Sequence, residues 1–143
     1  MEAATISMAV TSSGSKVQVE GMLDKHGLSG RFAVVLTSDD VGVGKESPAV
    51  FLRAAEELQA KPCEVVVLED AVRAVEVVKK VGMKCIAIAA GTRGSALRKA
   101  GADLVPPDFT ELKLSDLFEL FQPPSAAEQQ IASLPSWTHP CPF

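Results

Sequence analysis

Short apolar runs alternate with amphipathic segments along this 143-residue chain. The apolar runs are rich in Val, Ile and Ala, as in buried strands, and they occupy residues 5–10, 31–37, 63–68 and 84–90. The segments between them have apolar residues at helical spacing and occupy residues 16–26, 49–58 and 72–81. Strands that alternate with helices form a parallel sheet with helices on both faces. The alternation therefore predicts an α/β fold with a Rossmann-like parallel sheet of four to five strands.

The chain after residue 90 completes this core and then changes character. It predicts a helix over 95–100, a short fifth strand over 102–105 and an amphipathic helix over 111–121. From residue 122 charges almost vanish, and five of the nine prolines of the chain follow. We therefore expect a core over 1–121 and a Pro-rich tail over 122–143, anchored by Trp137 and Phe143 on this domain or on a partner.

Composition excludes several classes of protein. The net charge of −4 argues against a nucleic-acid surface. No apolar run approaches the roughly 18 residues of a membrane span, and the first residues lack the basic region of a signal or transit peptide. The three cysteines, Cys63, Cys85 and Cys141, show no C-x-x-C spacing. Cys63 and Cys85 are predicted to be free thiols at strand starts, which favours a reducing compartment, either the cytoplasm or an organelle.

An acidic pair, Glu69 and Asp70, directly follows the third apolar run. Ligands in open α/β sheets bind beyond the carboxyl ends of strands, and paired carboxylates there suit Mg²⁺. Lys45, preceded by Gly42-Val43-Gly44, is placed to act as a point charge for phosphate. Two alternatives stay open. The acids could open the next helix, where the helix dipole favours them, and Lys45 could be an ordinary exposed lysine.

A hydroxyl-rich loop, Thr11-Ser12-Ser13-Gly14-Ser15, follows the first predicted strand. Its amides and hydroxyls lie before a helix, where they can bind an anion. Helix capping alone explains this loop equally well. After the second strand, Asp39 and Asp40 are predicted to lie in a solvated turn.

The motifs together resemble the haloacid dehalogenase superfamily. The resemblance rests on GK-x-x-P at Gly44, a helix, a strand and then LED-A-x-x-A-V-x-x-x-K-x-x-G-M, and it spans about residues 5–117. The nearest subgroup contains β-phosphoglucomutases and small sugar-phosphate phosphatases. The resemblance implies that Lys45 stabilises an attacking aspartate and phosphate, and that Glu69 and Asp70 hold Mg²⁺. It also implies that Thr11 and Ser12 bind phosphate, Ser12 mainly through its backbone amide.

One motif of that superfamily, D-x-D-x-T, does not occur in this sequence, nor does the helical cap. The first Asp of that motif is the nucleophile, so the resemblance implies a core that is catalytically inactive as this chain. In that superfamily, the strand that carries the motif lies between two strands that correspond to those ending here at Leu68 and Val10. Without it, these two strands either pair with each other or leave a slot for another polypeptide. The expected ligand is a phosphorylated small molecule. One alternative is a non-enzymatic scaffold or interaction subunit that binds a protein through the tail or the slot. Another is one half of a split phosphatase.

Overall fold

The computed structural model describes residues 6–89 and 91–123. It contains four short strands, β1 (Ala9–Thr11), β2 (Val34–Leu36), β3 (Val66–Glu69) and β4 (Lys84–Ala87). Its helices are α1 (Lys16–Lys25), α2 (Ser38–Val41), α3 (Pro48–Glu57), α4 (Val72–Lys80), α5 (Gly94–Lys99) and α6 (Leu114–Glu119). The alternation of strands and helices confirms the predicted α/β class.

The strands form two separate parallel pairs rather than one sheet. In the first pair, Ala9 of β1 lies opposite Val34 of β2. In the second, Val66 of β3 lies opposite Lys84 of β4. Within the described residues no ladder joins β1 to β3. The predicted fifth strand is reduced to an isolated parallel bridge between Ile86 and Leu104.

Both strand pairs nevertheless share one hydrophobic core. Helix α3 packs on β1 and β2, α4 packs on β3 and β4, and the two helices contact each other. Helix α5 packs on α4. The core cluster joins residues of β2, α3, α4, β4 and α5. The two halves are therefore held together through their helices rather than through a continuous ladder.

Helix α3 shows how local sequence sets these elements. Ser47 is its N-cap and accepts a hydrogen bond from the amide of Ala49, and Pro48 occupies the first helical position. The buried face consists of Val50, Phe51, Ala54 and Ala55. The helical spacing of the apolar residues predicts a helix over 49–58, and the observed bounds differ from that prediction by one residue at each end.

Other elements are shorter than predicted. Pro62 fixes its own φ, and residues Pro62–Glu64 form a 3-10 turn before β3 begins at Val66. The last predicted helix, 111–121, is shortened to α6, which buries no residue, and a 3-10 turn, Phe109–Glu111, precedes it. Residues 124–143, with the predicted anchors Trp137 and Phe143, lie outside the described residues.

The two described cysteines differ. Cys85 is free and fully buried in β4, and burial raises the pKa of its thiol to about 12, with the Asp103 carboxylate adding to the effect. Cys63 lies in the 3-10 turn and is disulfide-bonded. The prediction of a free thiol is therefore confirmed for Cys85 and wrong for Cys63, which removes one support for a reducing compartment.

Among the described residues, no helix combines the length and the apolar character needed to cross a membrane.

Candidate functional site

The loops that follow β1 and β2 meet at the carboxyl ends of the strands. The hydroxyl of Ser38 donates to the carbonyl of Gly14 at 3.2 Å. The amide of Lys45 donates to the hydroxyl of Ser13 at 3.4 Å. The ammonium of Lys45 in turn reaches Glu69, the last residue of β3. The carboxyl ends of β1, β2 and β3 therefore lie on the same side of the molecule.

Lys45 and Glu69 form the centre of this edge. The Nζ of Lys45 lies 2.6 Å from Oε1 of Glu69, whose side chain is 3% exposed against 30% for the lysine. The second carboxylate oxygen, Oε2, accepts the amide of Asp70 at 3.2 Å. A buried carboxylate requires such partners, because an unpaired buried charge loses its hydration without compensation. The structure thus brings together two of the predicted site residues, and it pairs them with each other.

The loop before Lys45 helps to place it. Helix α2 ends at Gly42, whose φ of 71° lies in the left-handed region that glycine adopts without strain. The turn directs the chain from the end of β2 back across the strand ends toward β3. Lys45 is therefore not an ordinary exposed lysine, since its side chain is tied to a buried partner.

Asp70 is exposed and lies beside Glu69. Helix α4 begins at Val72 with Ala71 as its N-cap, and its first turn contains no acidic residue. Glu69 belongs to β3 and therefore does not open helix α4, in contrast to the alternative interpretation of the acidic pair. Asp70 lies between the strand and the helix.

The acidic pair provides only part of a magnesium site. The described residues contain no group of three or more His, Cys, Asp or Glu side chains that could hold a metal ion. Glu69 is already paired with Lys45, which leaves Asp70 as the exposed carboxylate. Mg²⁺ requires nearly octahedral oxygen coordination. The donor set of the described residues does not fit a complete Mg²⁺ site.

The hydroxyl-rich loop uses its own amides internally. The amide of Ser12 donates to the carbonyl of Leu36 at 2.9 Å, so it is not free for the phosphate-binding role predicted for it. The amide of Gly14 donates to the hydroxyl of Ser12 at 3.1 Å. Thr11, the other predicted phosphate ligand, is the half-buried last residue of β1.

The start of α1 is occupied by a carboxylate from elsewhere in the chain. The amide of Lys16, the first helical residue, donates to Oδ2 of Asp39 at 2.8 Å. The amide of Ser15 donates to the side chain of Gln18 at 3.1 Å. An internal carboxylate therefore lies where a bound anion is predicted, and Gln18 caps the amide of Ser15 at the same helix start.

Asp39 and Asp40 are both exposed, as predicted for a solvated turn, and each also accepts a hydrogen bond within the chain. Asp40 accepts both the amide and the hydroxyl of Thr37 at 2.8 Å, in the capping box of α2. These hydrogen bonds hold the pKa of the Asp40 carboxyl below its ordinary value. The spacing of Thr37 and Asp40 is the T-x-x-D pattern of a helix start, a signal that is present in the sequence.

Comparisons with known proteins agree with this fold. The family model described as haloacid dehalogenase-like hydrolase matches residues 1–88. Over 113 residues the chain is 30% identical to Protein SUPPRESSOR OF QUENCHING 1, chloroplastic, of Arabidopsis thaliana, covering 78% of this chain and 11% of that protein. It is 30% identical over 108 residues to Validoxylamine A 7'-phosphate phosphatase of Streptomyces hygroscopicus subsp. limoneus, covering 76% of this chain and 50% of that protein.

Among solved structures, the chain resembles the β-phosphoglucomutase of Clostridium difficile with a TM-score of 0.68 at 21% identity, a likeness of fold. The match covers 88% of this chain and 51% of that chain. The chain thus spans half or less of the curated relatives named above and about half of this structure. It belongs to the haloacid dehalogenase-like hydrolases, with a core like those of the phosphatases and phosphomutases of that family.

Proposed function

We propose that this chain is a catalytically silent haloacid dehalogenase-type core, one that does not transfer phosphoryl groups by itself. The observation that carries this proposal is the 2.6 Å ion pair between Lys45 and Glu69. The lysine expected to stabilise an attacking aspartate is held by a buried carboxylate of its own chain. The sequence also contains no D-x-D, so the aspartate that Lys45 would assist is not supplied by this chain.

The aspartates near this edge support the same proposal. Asp39 accepts the first amide of α1, and Asp40 accepts both donors of Thr37, so each has a structural partner. Asp70 is exposed, next in the chain to the carboxylate that already holds Lys45. A nucleophile requires an activating neighbour, and the partner expected for that role is already engaged by Glu69.

Ligand binding at this edge is expected to be weak. The amides of Ser12, Gly14 and Ser15 have internal partners, and the charge of Lys45 is balanced by Glu69. A phosphorylated small molecule would therefore interact through Thr11, Ser12 and Lys45 only after displacing these contacts. Mg²⁺ could be coordinated by Asp70 and by Glu69, which is already paired with Lys45, and it would need further oxygen ligands besides these two carboxylates.

The test is a phosphatase assay on the purified chain with p-nitrophenyl phosphate and Mg²⁺. We expect no turnover above that of Lys45→Ala, purified in parallel as a measure of contaminating phosphatase. Turnover that requires Mg²⁺ and is lost in Lys45→Ala would overturn the proposal. If such turnover occurs, an Asp70→Asn variant tests whether Asp70 is the nucleophile, because that substitution would then abolish the turnover as well.

A second candidate function is that of an interaction subunit or of one half of a split phosphatase. It is favoured by the two separate strand pairs, because in the part of the chain that the structure describes no ladder joins the outer edges of β1 and β3. A co-purifying polypeptide with D-x-D-x-T after an apolar strand, whose addition produces Mg²⁺-dependent turnover, would support the split enzyme. If the tail is the clamp, deletion of residues 123–143 should release the chain from its native assembly, and an unchanged elution position on sizing would count against it.

A further inference from the structure

The cysteines of the chain differ in their chemical states. Cys63 is disulfide-bonded, whereas Cys85 is a free thiol. The sequence contains one other cysteine, Cys141, which lies outside the described residues. Within this chain, Cys141 is therefore the remaining partner for Cys63.

The position of Cys85 keeps it out of thiol–disulfide exchange. Cys85 is 0% exposed in β4, and burial raises the pKa of its thiol to about 12. The thiolate is the species that attacks a disulfide, and it must also be accessible to do so. Cys85 is neither accessible nor ionised near neutral pH, so it does not compete for Cys63.

Cys63 is held by an ordered turn near the surface. It is the central residue of the 3-10 turn Pro62–Glu64 and is half-buried. The amide of Lys61 donates to Oε2 of Glu64 at 2.8 Å. The amide of Val65 donates to the first carbonyl of the turn at 3.1 Å. Because the backbone on both sides of the sulfur is already ordered, a disulfide here costs the core little additional conformational entropy.

The tail is long enough to reach this turn. The described chain ends at Pro123, and residues 124–140 connect it to Cys141. An extended segment of that length spans roughly 60 Å. A folded core of this size has a radius of gyration of only about 14 Å. The link from Cys141 to Cys63 therefore requires no rearrangement of the core.

We propose that Cys63 is bonded to Cys141, and that this disulfide is a reversible tether that holds the C-terminal tail at the amino end of β3. Strand β3 lies between Cys63 and Glu69, so the tether and the ion pair of Glu69 with Lys45 belong to opposite ends of that strand. In the oxidised chain, the tail is bound to its own core. Reduction releases the tail for contact with a partner protein. The proposal does not depend on phosphate binding or catalysis.

The redox step is a thiol–disulfide exchange with a low-molecular-weight disulfide such as oxidised glutathione. The thiolate of one cysteine attacks that disulfide, forms a mixed disulfide and releases one glutathione thiolate. The thiolate of the other cysteine then attacks the protein sulfur of the mixed disulfide, which forms the protein S–S bond and releases the second glutathione. The two cysteines together lose two electrons and two protons, and the glutathione disulfide gains them. A dithiol reductant reverses the exchange.

Peptide mapping identifies the link, because trypsin separates the cysteines. Peptides 54–73, 85–93 and 114–143 carry Cys63, Cys85 and Cys141, respectively. The full chain is equilibrated with oxidised glutathione at low protein concentration, then unfolded, alkylated with iodoacetamide and digested without reductant. We expect peptide 54–73 joined to 114–143, two hydrogen atoms lighter than the sum of the two thiol peptides. Peptide 85–93 should be alkylated.

Three other outcomes of the mapping would overturn the proposal. The first is that peptide 54–73 is alkylated, which would make Cys63 a thiol in solution. The second is a link from 54–73 to 85–93 or to a second copy of itself. The third is a link to 114–143 found only in a species of twice the chain mass on a non-reducing gel, since the bond would then join two chains.

Thermal unfolding and fluorescence test the tether as a reversible constraint. Reduction with dithiothreitol should lower the Tm of the wild type by about 5–15 °C, because a disulfide that closes a long loop restricts the unfolded chain. Reduction should also lower the fluorescence anisotropy of Trp137, the single tryptophan, as the tail is released. The matched control, Cys141→Ser, should behave as the reduced wild type and should not respond to dithiothreitol. Equal responses of the two proteins, or no response of the wild type, would contradict the tether.

Discussion

The ammonium of Lys45 lies 2.6 Å from the buried carboxylate of Glu69, and this contact spans 24 residues of sequence. It connects the loop before α3 to the end of β3, and so it links the two strand pairs. Because no ladder joins those pairs among the described residues, this ion pair connects two halves that strand pairing does not. Its removal should affect the whole domain rather than a single loop.

Lys45→Met should therefore destabilise the chain by about 1–3 kcal/mol, because it leaves the carboxylate of Glu69 buried without its charged partner. This loss is smaller than the roughly 3–5 kcal/mol typical of a fully buried pair, because the side chain of Lys45 is 30% exposed. Combining Lys45→Met with Glu69→Gln should cost less than the sum of the two single changes. Urea unfolding of the four proteins measures this coupling. Lys61→Met, at an exposed lysine, is the control, and strictly additive free energies would show that the ion pair contributes nothing.

The carboxylate of Asp40 should make stability depend on pH in the acid range. The amide and hydroxyl of Thr37 lower its pKa from the ordinary value of 3.8, which the unfolded chain retains. A group with a lowered folded-state pKa adds stability that is present above 3.8 and is lost as the pH falls through the folded-state value. Asp40→Asn should therefore flatten the dependence of unfolding free energy on pH below about pH 4.

The measurement for Asp40 is urea unfolding at a series of pH values from about 2.5 to about 6, a range that brackets the ordinary pKa of 3.8. Some acid dependence should remain in the variant, because hydrogen bonds from Thr110 also lower the pKa of Asp108. Asp24→Asn, at an exposed aspartate of α1, is the matched control. Equal slopes for wild type and Asp40→Asn would contradict the assignment.

Asp103 should matter more to stability than the lysine that it binds. Its Oδ2 accepts both the backbone amide of Cys85 and the ammonium of Lys79, each at 2.7 Å. Asp103→Ala leaves the amide of Cys85 without this acceptor and should lower the free energy of unfolding by about 1–2 kcal/mol. Lys79→Met removes only a partly exposed ion pair and should cost less than about 1 kcal/mol. Thermal or urea unfolding gives the comparison. A larger loss for Lys79→Met would show that the charge pair, and not the backbone contact, is the important one.

The sequence predicts the core of this fold well because its signals there are local. The apolar spacing of α3 and the short valine-rich run of β3 each specify one element without reference to the rest of the chain. The meeting of Lys45 and Glu69 at one edge was also predictable, since both residues flank predicted strand ends. Their pairing with each other was not, because the resemblance assigns them to different ligands, phosphate and Mg²⁺.

The features that sequence reasoning missed depend on distant partners. The bond from the amide of Lys16 to Asp39 joins the first turns of α1 and α2, and no periodic pattern in the sequence identifies that contact. The apolar residues of 111–121 predict a buried face, yet Leu114 is 59% and Phe118 43% exposed. Amphipathic spacing shows which face a helix can bury, but burial also needs a neighbouring surface, which no local pattern records.

The internally bonded loop after β1 has a consequence for the kinetics of ligand entry. Because Asp39 already holds the first amide of α1, and Ser12 holds that of Gly14, an incoming anion meets donors that must first be released. Association would then be limited by the opening of the loop rather than by diffusion. The observed rate would level off at high anion concentration, at a plateau equal to the opening rate of the loop itself.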